Sequence, residues 1–191
     1  MANEFYALMG RMRYISRWGL MRNSFVENVQ EHSHQVAVLA HALALIRRDI
    51  LHLDGPDPDR CAVAALYHDA SETLTGDMPT PIKYYNPEIK QAYKQVEQIA
   101  GQRLLTMIPE QLRSSYEAYI LESDAEVSSI VKAADKLSAH IKCLEEQKAG
   151  NTDFDTAAKQ TWDALQQMQS PELSWFLDHC LGTFCLNLDQ L

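Results

Sequence analysis

The chain has 191 residues, of which 46% are hydrophobic and 23% charged, and this composition is typical of a globular protein. It excludes a disordered or fibrous chain, and the length suits one domain. The formal net charge of -9 argues against a nucleic-acid polymer as partner, because proteins that bind one usually present a basic face. A small phosphorylated substrate stays open, since a metal and a few local cations can reverse the field inside one pocket.

The cysteines and the apolar segments indicate a cytoplasmic protein without a membrane partner. The four cysteines include no Cys-x-x-Cys pair, and the first ten residues lack a basic region followed by an apolar stretch. No run approaches the roughly 18 apolar residues that a membrane span requires. We therefore expect reduced thiols, a cytoplasmic location and no transmembrane segment.

Apolar residues recur about every 3.6 positions through most of the chain, while the strict alternation of strands is scarce. The pattern predicts an all-α fold, with one helical domain over residues 1–191. In chain order, the predicted helices cover 3–14, 31–48, 58–72, 87–106, 109–121, 124–149, 153–168 and 172–186. Between the third and fourth of these, two prolines predict a stiff, non-helical loop over residues 76–81.

The second predicted helix has a histidine on its apolar stripe. His32 shares one face with Val36, Leu39 and Leu43, so we expect its side chain to point inward. A core histidine is more often a satisfied hydrogen-bond partner than a metal ligand. His32 by itself therefore does not establish a metal site.

The third predicted helix places a histidine beside an aspartate in an apolar segment. Ala62, Leu66 and Asp69 fall on one face, which turns the carboxylate toward the core. An unpaired charge there is costly, so Asp69 needs a cation or several donors. Glu72 lies one turn beyond His68 and is placed to handle the proton of a water or a leaving group, although it also fits a solvated helix end.

The sixth predicted helix contributes a second aspartate. Asp135 follows Val131 by one turn and is flanked by alanines that would allow an ion to approach closely. Its neighbours Lys132 and Lys136 also fit an ordinary charged surface position.

Taken together, three helices direct candidate ligands inward, and this joint pattern predicts one divalent metal. Two imidazoles and two carboxylates suit Mn, Co, Fe, Ni or Zn better than calcium. Such an ion polarises a phosphoryl oxygen and lowers the pKa of a bound water, as the hydrolysis of a phosphate ester requires. The predicted ligands are His32, His68, Asp69 and Asp135.

A distant His, a central His-Asp pair and a later Asp on helices resemble the signature of the HD-domain phosphohydrolases. The flanking segments are more similar still to the bacterial YfbR-type 5'-deoxynucleotidases, and this resemblance weakens after about residue 152. The segments that show it are Arg17-Trp18, Leu20-Met21-Arg22-Asn23, Glu27-Asn28-Val29, Glu31-His32-Ser33, Tyr67-His68-Asp69-Ala70-Ser71-Glu72 and Thr75-Gly76-Asp77-Met78-Pro79-Thr80-Pro81.

The resemblance implies an HD-domain helical bundle that hydrolyses deoxyribonucleoside 5'-monophosphates with one divalent transition metal, such as Co or Mn. It implies metal ligation by the four residues above and catalytic roles for Glu72 and Trp18. The substrate contacts that it implies are Arg17, Trp18, Asp69, Asp77, Met78, Pro79, Thr80 and Asp135.

The chemistry of the implied substrate contacts is consistent with those roles. Arg17 offers a planar fork of donors to a phosphate, and Asp77 an acceptor to the 3'-hydroxyl. The rigid indole of Trp18 would leave no space for a 2'-hydroxyl, although both Arg17 and Trp18 also fit simple packing beside the second helix. Gly19 stands where close relatives would have proline, which loosens this loop. Lys83 is a further candidate cation near the phosphate.

Two other readings stay open. Another HD activity, on cyclic dinucleotides, alarmones or nucleoside triphosphates, would use the same ligands, but His34 and His41 lie off the stripe and do not readily supply a second metal. The second alternative is a non-catalytic HD module that binds proteins.

The aromatic residues near the end of the chain bear on the oligomeric state. The residues Trp162, Trp175 and Phe176 pack either on the core or against a second copy, and the resemblance implies a homodimer.

Overall fold

The computed structural model describes residues 3–83 and 85–191, with the backbone alone for residues 80 and 81, and this part of the chain contains helices and no strand. The predicted all-α fold is confirmed. Its α-helices are α1 (Phe5–Met9), α2 (Val29–Leu45), α3 (Pro58–Tyr67), α4 (Glu72–Thr75), α5 (Thr80–Lys83), α6 (Pro87–Thr106), α7 (Arg113–Ile120), α8 (Ala125–Lys148), α9 (Asp155–Gln167) and α10 (Pro171–His179). None of the helices in the described ranges is long and apolar enough to cross a membrane.

Local capping sets where the helices of the site begin. The side chain of Asn28 accepts a hydrogen bond from the backbone of Glu31 at 3.0 Å, and the Glu31 carboxylate accepts one from the Asn28 backbone. Asp57 caps α3 just before Pro58, whose ring fits the first helical position. The first of these caps fixes the start of α2 so that His32 lies one turn inside it.

Helices α2, α3 and α8 enclose the main core, and α10 packs against it. Val36 and Leu43 of α2 and Leu137 and Ile141 of α8 are completely buried. Each such side chain contributes about 1.5–3 kcal/mol through its removal from water. This packing fixes the positions of α2, α8 and the end of α3, which is followed directly by His68 and Asp69.

The predicted helix 58–72 is interrupted at its most interesting point. Helix α3 ends at Tyr67, and residues 68–71 form turns before α4 begins. At the break, the carbonyl oxygen of Ala65 accepts hydrogen bonds from His68 Nδ1 at 2.7 Å and from the His68 backbone at 3.4 Å. In a continuous helix that oxygen would accept from the backbone of Asp69. The imidazole therefore replaces a helical hydrogen bond, and the chain turns.

The predicted inward stripe of Ala62, Leu66 and Asp69 is wrong. Leu66 is 42% exposed, and the buried residues of α3 are Pro58, Cys61, Ala64 and Ala65. Asp69 reaches the interior because the chain turns after Tyr67 and not because of helical periodicity.

Several other boundaries differ from the prediction. The segment 3–14 divides into α1 and a 3-10 turn, and helix α2 continues as a π-turn over Ile46–Ile50. The short helix α5 begins inside the predicted loop 76–81, of which residues 76–79 are non-helical. Proline at the second position of α5 is compatible with a helix start, since its missing amide has no helical partner there.

Candidate metal centre

Helices α2 and α8 and the turn after α3 converge on a cluster of nitrogen and oxygen atoms. One ligand atom each from His32, His68 and Asp135 lies within 4.8 Å of the others. The closest pair joins His32 Nε2 and Asp135 Oδ1 at 3.0 Å. His32 is completely buried, whereas the side chain of Asp135 is 38% exposed, so the cluster is open on the side of Asp135.

Both imidazoles are oriented by bonds to their other nitrogen. Ser138 Oγ donates to Gln35 and therefore accepts from His32 Nδ1 at 3.2 Å, while His68 Nδ1 donates to the carbonyl oxygen of Ala65. Each ring thus directs its Nε2 atom into the cluster, the arrangement found in metal-binding histidines. Among the described residues, the buried Nε2 of His68 has no hydrogen-bond partner at a favourable angle, although the charged Asp69 Oδ2 lies 3.1 Å away. These residues fit a divalent transition metal.

Asp69 lies at the edge of the same cluster. Its Oδ2 is 3.1 Å from His68 Nε2, 3.7 Å from His32 Nε2 and 3.3 Å from Arg17 Nη1. Burial raises the pKa of Asp69, but the positive charges of His68, Arg17 and His32 outweigh it and lower this pKa to about 2. Asp69 is therefore anionic at neutral pH and can serve both a cation and the arginine.

The negative charges of the carboxylates stabilise a positive charge in the cluster. Burial lowers the pKa of His68, but the neighbouring Asp69 and Asp135 outweigh burial and raise it to about 9. Burial raises the pKa of Asp135, but the hydrogen bond and the charge of His32 outweigh burial and hold this pKa far below its usual value. Without a cation the cluster holds a proton instead, and a metal would displace it.

Glu72 is a buried carboxyl group next to this cluster. Glu72 is only 6% exposed, and its Oε2 has no hydrogen-bond partner among the described residues. Burial and the negative charges of Asp69 and Asp77 raise the pKa of Glu72 to about 9. The group is protonated at neutral pH and can donate its proton.

Arg17 and Trp18 lie in the segment between α1 and α2, which is closed by an antiparallel bridge between Ser16 and Asn28. Both side chains contact Glu27, since Arg17 Nε donates to Glu27 Oε2 at 3.3 Å and Trp18 Nε1 donates to the same oxygen at 2.9 Å. Arg17 also donates from Nη1 to Asp69 Oδ2 at 3.3 Å, so it lies at the edge of the cluster. The sequence interpretation gave Glu27 no role.

The remaining predicted substrate contacts follow α4. Asp77, Met78 and Pro79 are half-buried. Burial raises the pKa of Asp77, although the nearby Arg17 opposes this. Thr80 begins α5, and its side chain lies outside the described residues.

Two further candidates from the sequence have other partners. Lys83 Nζ donates to Glu97 Oε1 at 2.7 Å and lies over the ring of Tyr93, so nothing in these contacts indicates a phosphate. His41 pairs with Asp59 at 3.4 Å on the surface, outside the metal cluster.

Solved structures share this fold at low sequence identity. An HD-domain phosphohydrolase from Listeria innocua aligns with a TM-score of 0.81 and 20% identity, over 97% of this chain and 90% of that one. The HD phosphohydrolase of cyanophage S-2L, solved with dA and one catalytic Zn²⁺ ion, aligns with a TM-score of 0.67 and 19% identity, over 93% and 96% of the two chains. At such identities the likeness shows the fold alone.

Sequence relatives are much closer. A protein of Erwinia tasmaniensis named 5'-deoxynucleotidase is 48% identical over 99% of this chain and 96% of its own length. Its namesake from Vibrio atlanticus is 46% identical, over 99% and 98%. The family model described as 5'-deoxynucleotidase YfbR-like matches residues 4–184. The chain therefore belongs to the family of YfbR-like 5'-deoxynucleotidases.

Proposed function

We propose that this protein is a metal-dependent phosphatase that converts deoxyribonucleoside 5'-monophosphates into deoxynucleosides and phosphate. The observation that carries the proposal is the cluster of His32, His68 and Asp135, whose ligand atoms lie within 4.8 Å of one another, with Arg17 on its edge. The full-length relatives named 5'-deoxynucleotidase supply the substrate class.

In this proposal His32, His68, Asp69 and Asp135 hold one divalent ion, for which we favour Co or Mn. When bound, the ion polarises a phosphoryl oxygen and makes a water acidic. Arg17 donates to the phosphate with the N–H groups that it does not use for Glu27 and Asp69. These charge-assisted hydrogen bonds orient the phosphate for attack.

Glu72 then supplies the proton that the reaction needs. Water attacks the phosphorus, the bond between phosphorus and the 5'-oxygen breaks, and Oε2 of Glu72 protonates that oxygen as the nucleoside leaves. A proton that the attacking water brought to the phosphate then passes to Glu72 and regenerates the acid. A sugar hydroxyl is a poor leaving group as an alkoxide, so a positioned acid accelerates this step. In the metal-free protein, burial and the neighbouring carboxylates raise the pKa of Glu72 to about 9, and this supports its assignment as the group that carries the proton.

The sugar and base would lie against Trp18 and the segment Asp77, Met78, Pro79 and Thr80. Trp18 excludes a 2'-hydroxyl by its bulk and has a catalytic role in orienting the phosphate. Asp77 accepts a hydrogen bond from the 3'-hydroxyl. Asp69 and Asp135 contact the ion, and they also contact the phosphate of the substrate.

Phosphate release from dAMP and from AMP tests the function directly, with Co²⁺, Mn²⁺ and Zn²⁺ supplied separately to metal-free protein. We expect turnover of dAMP that depends on the ion and at least about tenfold slower turnover of AMP, as expected when one steric contact discriminates. Metal-loaded protein that releases phosphate from no deoxynucleotide would contradict the proposal. Equal rates for dAMP and AMP would contradict the steric role of Trp18.

The same proposal includes a single domain over residues 1–191, a homodimer and a cytoplasmic location. Phe176 is buried and Trp175 is half-buried against the core, whereas Trp162 is 38% exposed and supports a contact with a second copy. Light scattering of the purified protein would measure the oligomeric state, and a monomer would remove the dimer from the proposal.

A further inference from the structure

We propose that Glu27 is a positioning residue that fixes the poses of Arg17 and Trp18 and thereby sets the selection of deoxyribose over ribose. The inference rests on the proposed function, because it concerns how Trp18 discriminates between the two sugars. It adds a residue outside the metal ligands and outside the residues that touch the nucleotide.

One carboxylate oxygen joins the two substrate-binding side chains. Glu27 Oε2 accepts from Trp18 Nε1 at 2.9 Å and from Arg17 Nε at 3.3 Å. Because both bonds end on the same atom, a displacement of the carboxylate moves the indole and the guanidinium together. Arg17 is held at its other end by Asp69, so its plane has two fixed points.

The burial of Glu27 makes these bonds strong. Glu27 is 6% exposed, and the side chain of Arg17 is 14% exposed. A buried carboxylate must be compensated by donors and opposite charge, and Arg17 and Trp18 supply both. The other oxygen, Oε1, is 3.9 Å from His32 Nδ1, beyond hydrogen-bond distance. The bonded contacts of the Glu27 carboxylate are thus with the phosphate and sugar side of the site.

The backbone at Trp18 gives a reason why such a constraint is needed. Trp18 has a φ of 57°, in the left-handed region that is unfavourable for a bulky residue. The carbonyl of Glu27 accepts from the Arg17 backbone at 2.9 Å, and Phe154 packs against the indole with ring centroids 5.3 Å apart. Phe154 and the hydrogen bonds that the Arg17 backbone and Trp18 Nε1 donate to Glu27 therefore stabilise a conformation that is unfavourable for a bulky residue.

The test compares kcat and KM for dAMP and AMP in Glu27→Ala and Glu27→Gln. Glu172→Ala is the matched control, since Glu172 is an equally buried carboxylate, 3% exposed, that pairs with Arg47 away from the site. We expect Glu27→Ala to lower the ratio of kcat/KM for dAMP over AMP by about tenfold, the effect of losing one selective contact. Glu27→Gln can still accept from the indole and should retain most of the ratio.

A second measurement does not depend on activity. In a Trp162→Phe, Trp175→Phe background, Trp18 is the sole tryptophan. Adding Glu27→Ala should shift its emission to longer wavelength and increase quenching by acrylamide, whereas adding Glu172→Ala should change neither. A loss of stability without a change of pose would leave the emission of the folded protein unaltered.

Each outcome decides the inference. If Glu27→Ala remains active with the wild-type dAMP over AMP ratio, or if the emission of Trp18 does not move, Glu27 has no positioning role. If Glu27→Ala does not fold, Trp18→Phe removes the same hydrogen bond from the other side, and an unchanged ratio there overturns the inference. A wild-type protein inactive on dAMP contradicts the proposed function instead, and the emission measurement still tests Glu27.

Discussion

The carboxyl group of Glu72 holds a proton at neutral pH because it is buried beside two other carboxylates, which raise its pKa to about 9. If this proton goes to the 5'-oxygen, Glu72→Gln should slow dAMP hydrolysis by about 10²–10⁴-fold. The same variant should slow p-nitrophenyl phosphate hydrolysis far less, because p-nitrophenolate leaves without a proton.

Steady-state rates for the two substrates measure this difference, with Glu97→Gln as a control at a carboxylate that pairs with Lys83 instead. Equal losses on both substrates would assign Glu72 to the activation of water and reject the role as proton donor.

The imidazole of His68 gives metal binding a defined pH dependence. In the metal-free protein its pKa is raised to about 9, so the ring is protonated at pH 7 and must lose a proton before Nε2 can bind an ion. Affinity should therefore rise with pH up to about pH 9, by about tenfold per unit for one proton released.

Competition with a chelating dye at pH 6, 7 and 8 measures this slope. His41→Gln, at a surface histidine, should preserve it. A dissociation constant that does not change across this range would show that no proton is displaced from the site.

At the scale of the elements, helix α8 anchors the segment before α2 as well as presenting Asp135. Glu146, completely buried, pairs with Lys142 and accepts from the backbone of Ser24 at 2.9 Å and from Asn151 at 2.7 Å. Burial raises the pKa of Glu146, but these donors outweigh it and lower the value to about 2.

This network predicts a loss of stability on acidification. A carboxyl group with a depressed pKa in the folded state contributes stability that is present above its unfolded pKa, about 4.3, and lost as the pH falls toward 2. Glu146→Ala leaves Lys142 buried without its partner and should cost about 3–5 kcal/mol at pH 7.

Denaturant unfolding at several pH values measures both effects. Between about pH 5 and pH 2, the free energy of unfolding should fall less in Glu146→Ala than in the wild type. In Glu126→Ala, at an exposed position on α8, it should fall as much as in the wild type. A variant as stable as the wild type would show that the buried pair contributes nothing.

The long helices could be predicted from the sequence because their apolar periodicity and caps are local signals. The bounds of α6 match the prediction, residues 87–106, and the predicted helix 124–149 differs from α8 by one residue at each end. The break at His68 could not be predicted, since it depends on a side chain that replaces a backbone donor at Ala65. The periodicity of apolar residues does not indicate such an exchange of hydrogen-bond donors.

Some residues of the site could likewise be predicted from local signals in the sequence, and others could not. His32 was predicted to point inward from its helical stripe, and it is completely buried. Glu27 lies in a non-helical segment, and its contacts with Arg17 and Trp18 result from the bridge between Ser16 and Asn28. The family resemblance identified Arg17 and Trp18, but only the three-dimensional structure relates them to Glu27.

At the scale of the whole molecule, the proposed ion joins α2, α8 and the turn after α3, so its binding should stabilise the entire fold. An ion at about 100 times its dissociation constant adds about 2.7 kcal/mol, which corresponds to a rise in Tm of about 5–10 °C for a chain of this length.

Thermal unfolding before and after removal of metal by a chelator measures this shift. Asp135→Asn should reduce it, and Asp163→Asn, an exposed position on α9, should preserve it. A Tm that is the same with and without the ion would contradict a site formed by the folded protein.

The turn over residues 68–71 also affects how the site tolerates changes in chain length. One residue inserted into α2 or α8 before its ligand would rotate that ligand by about 100° around the helix axis and remove it from the cluster. An insertion between Asp69 and Glu72 falls outside any helix, so irregular backbone can absorb it locally while His68 keeps its bond to Ala65. Natural variation in the spacing from the His-Asp pair to Glu72 should therefore be found here.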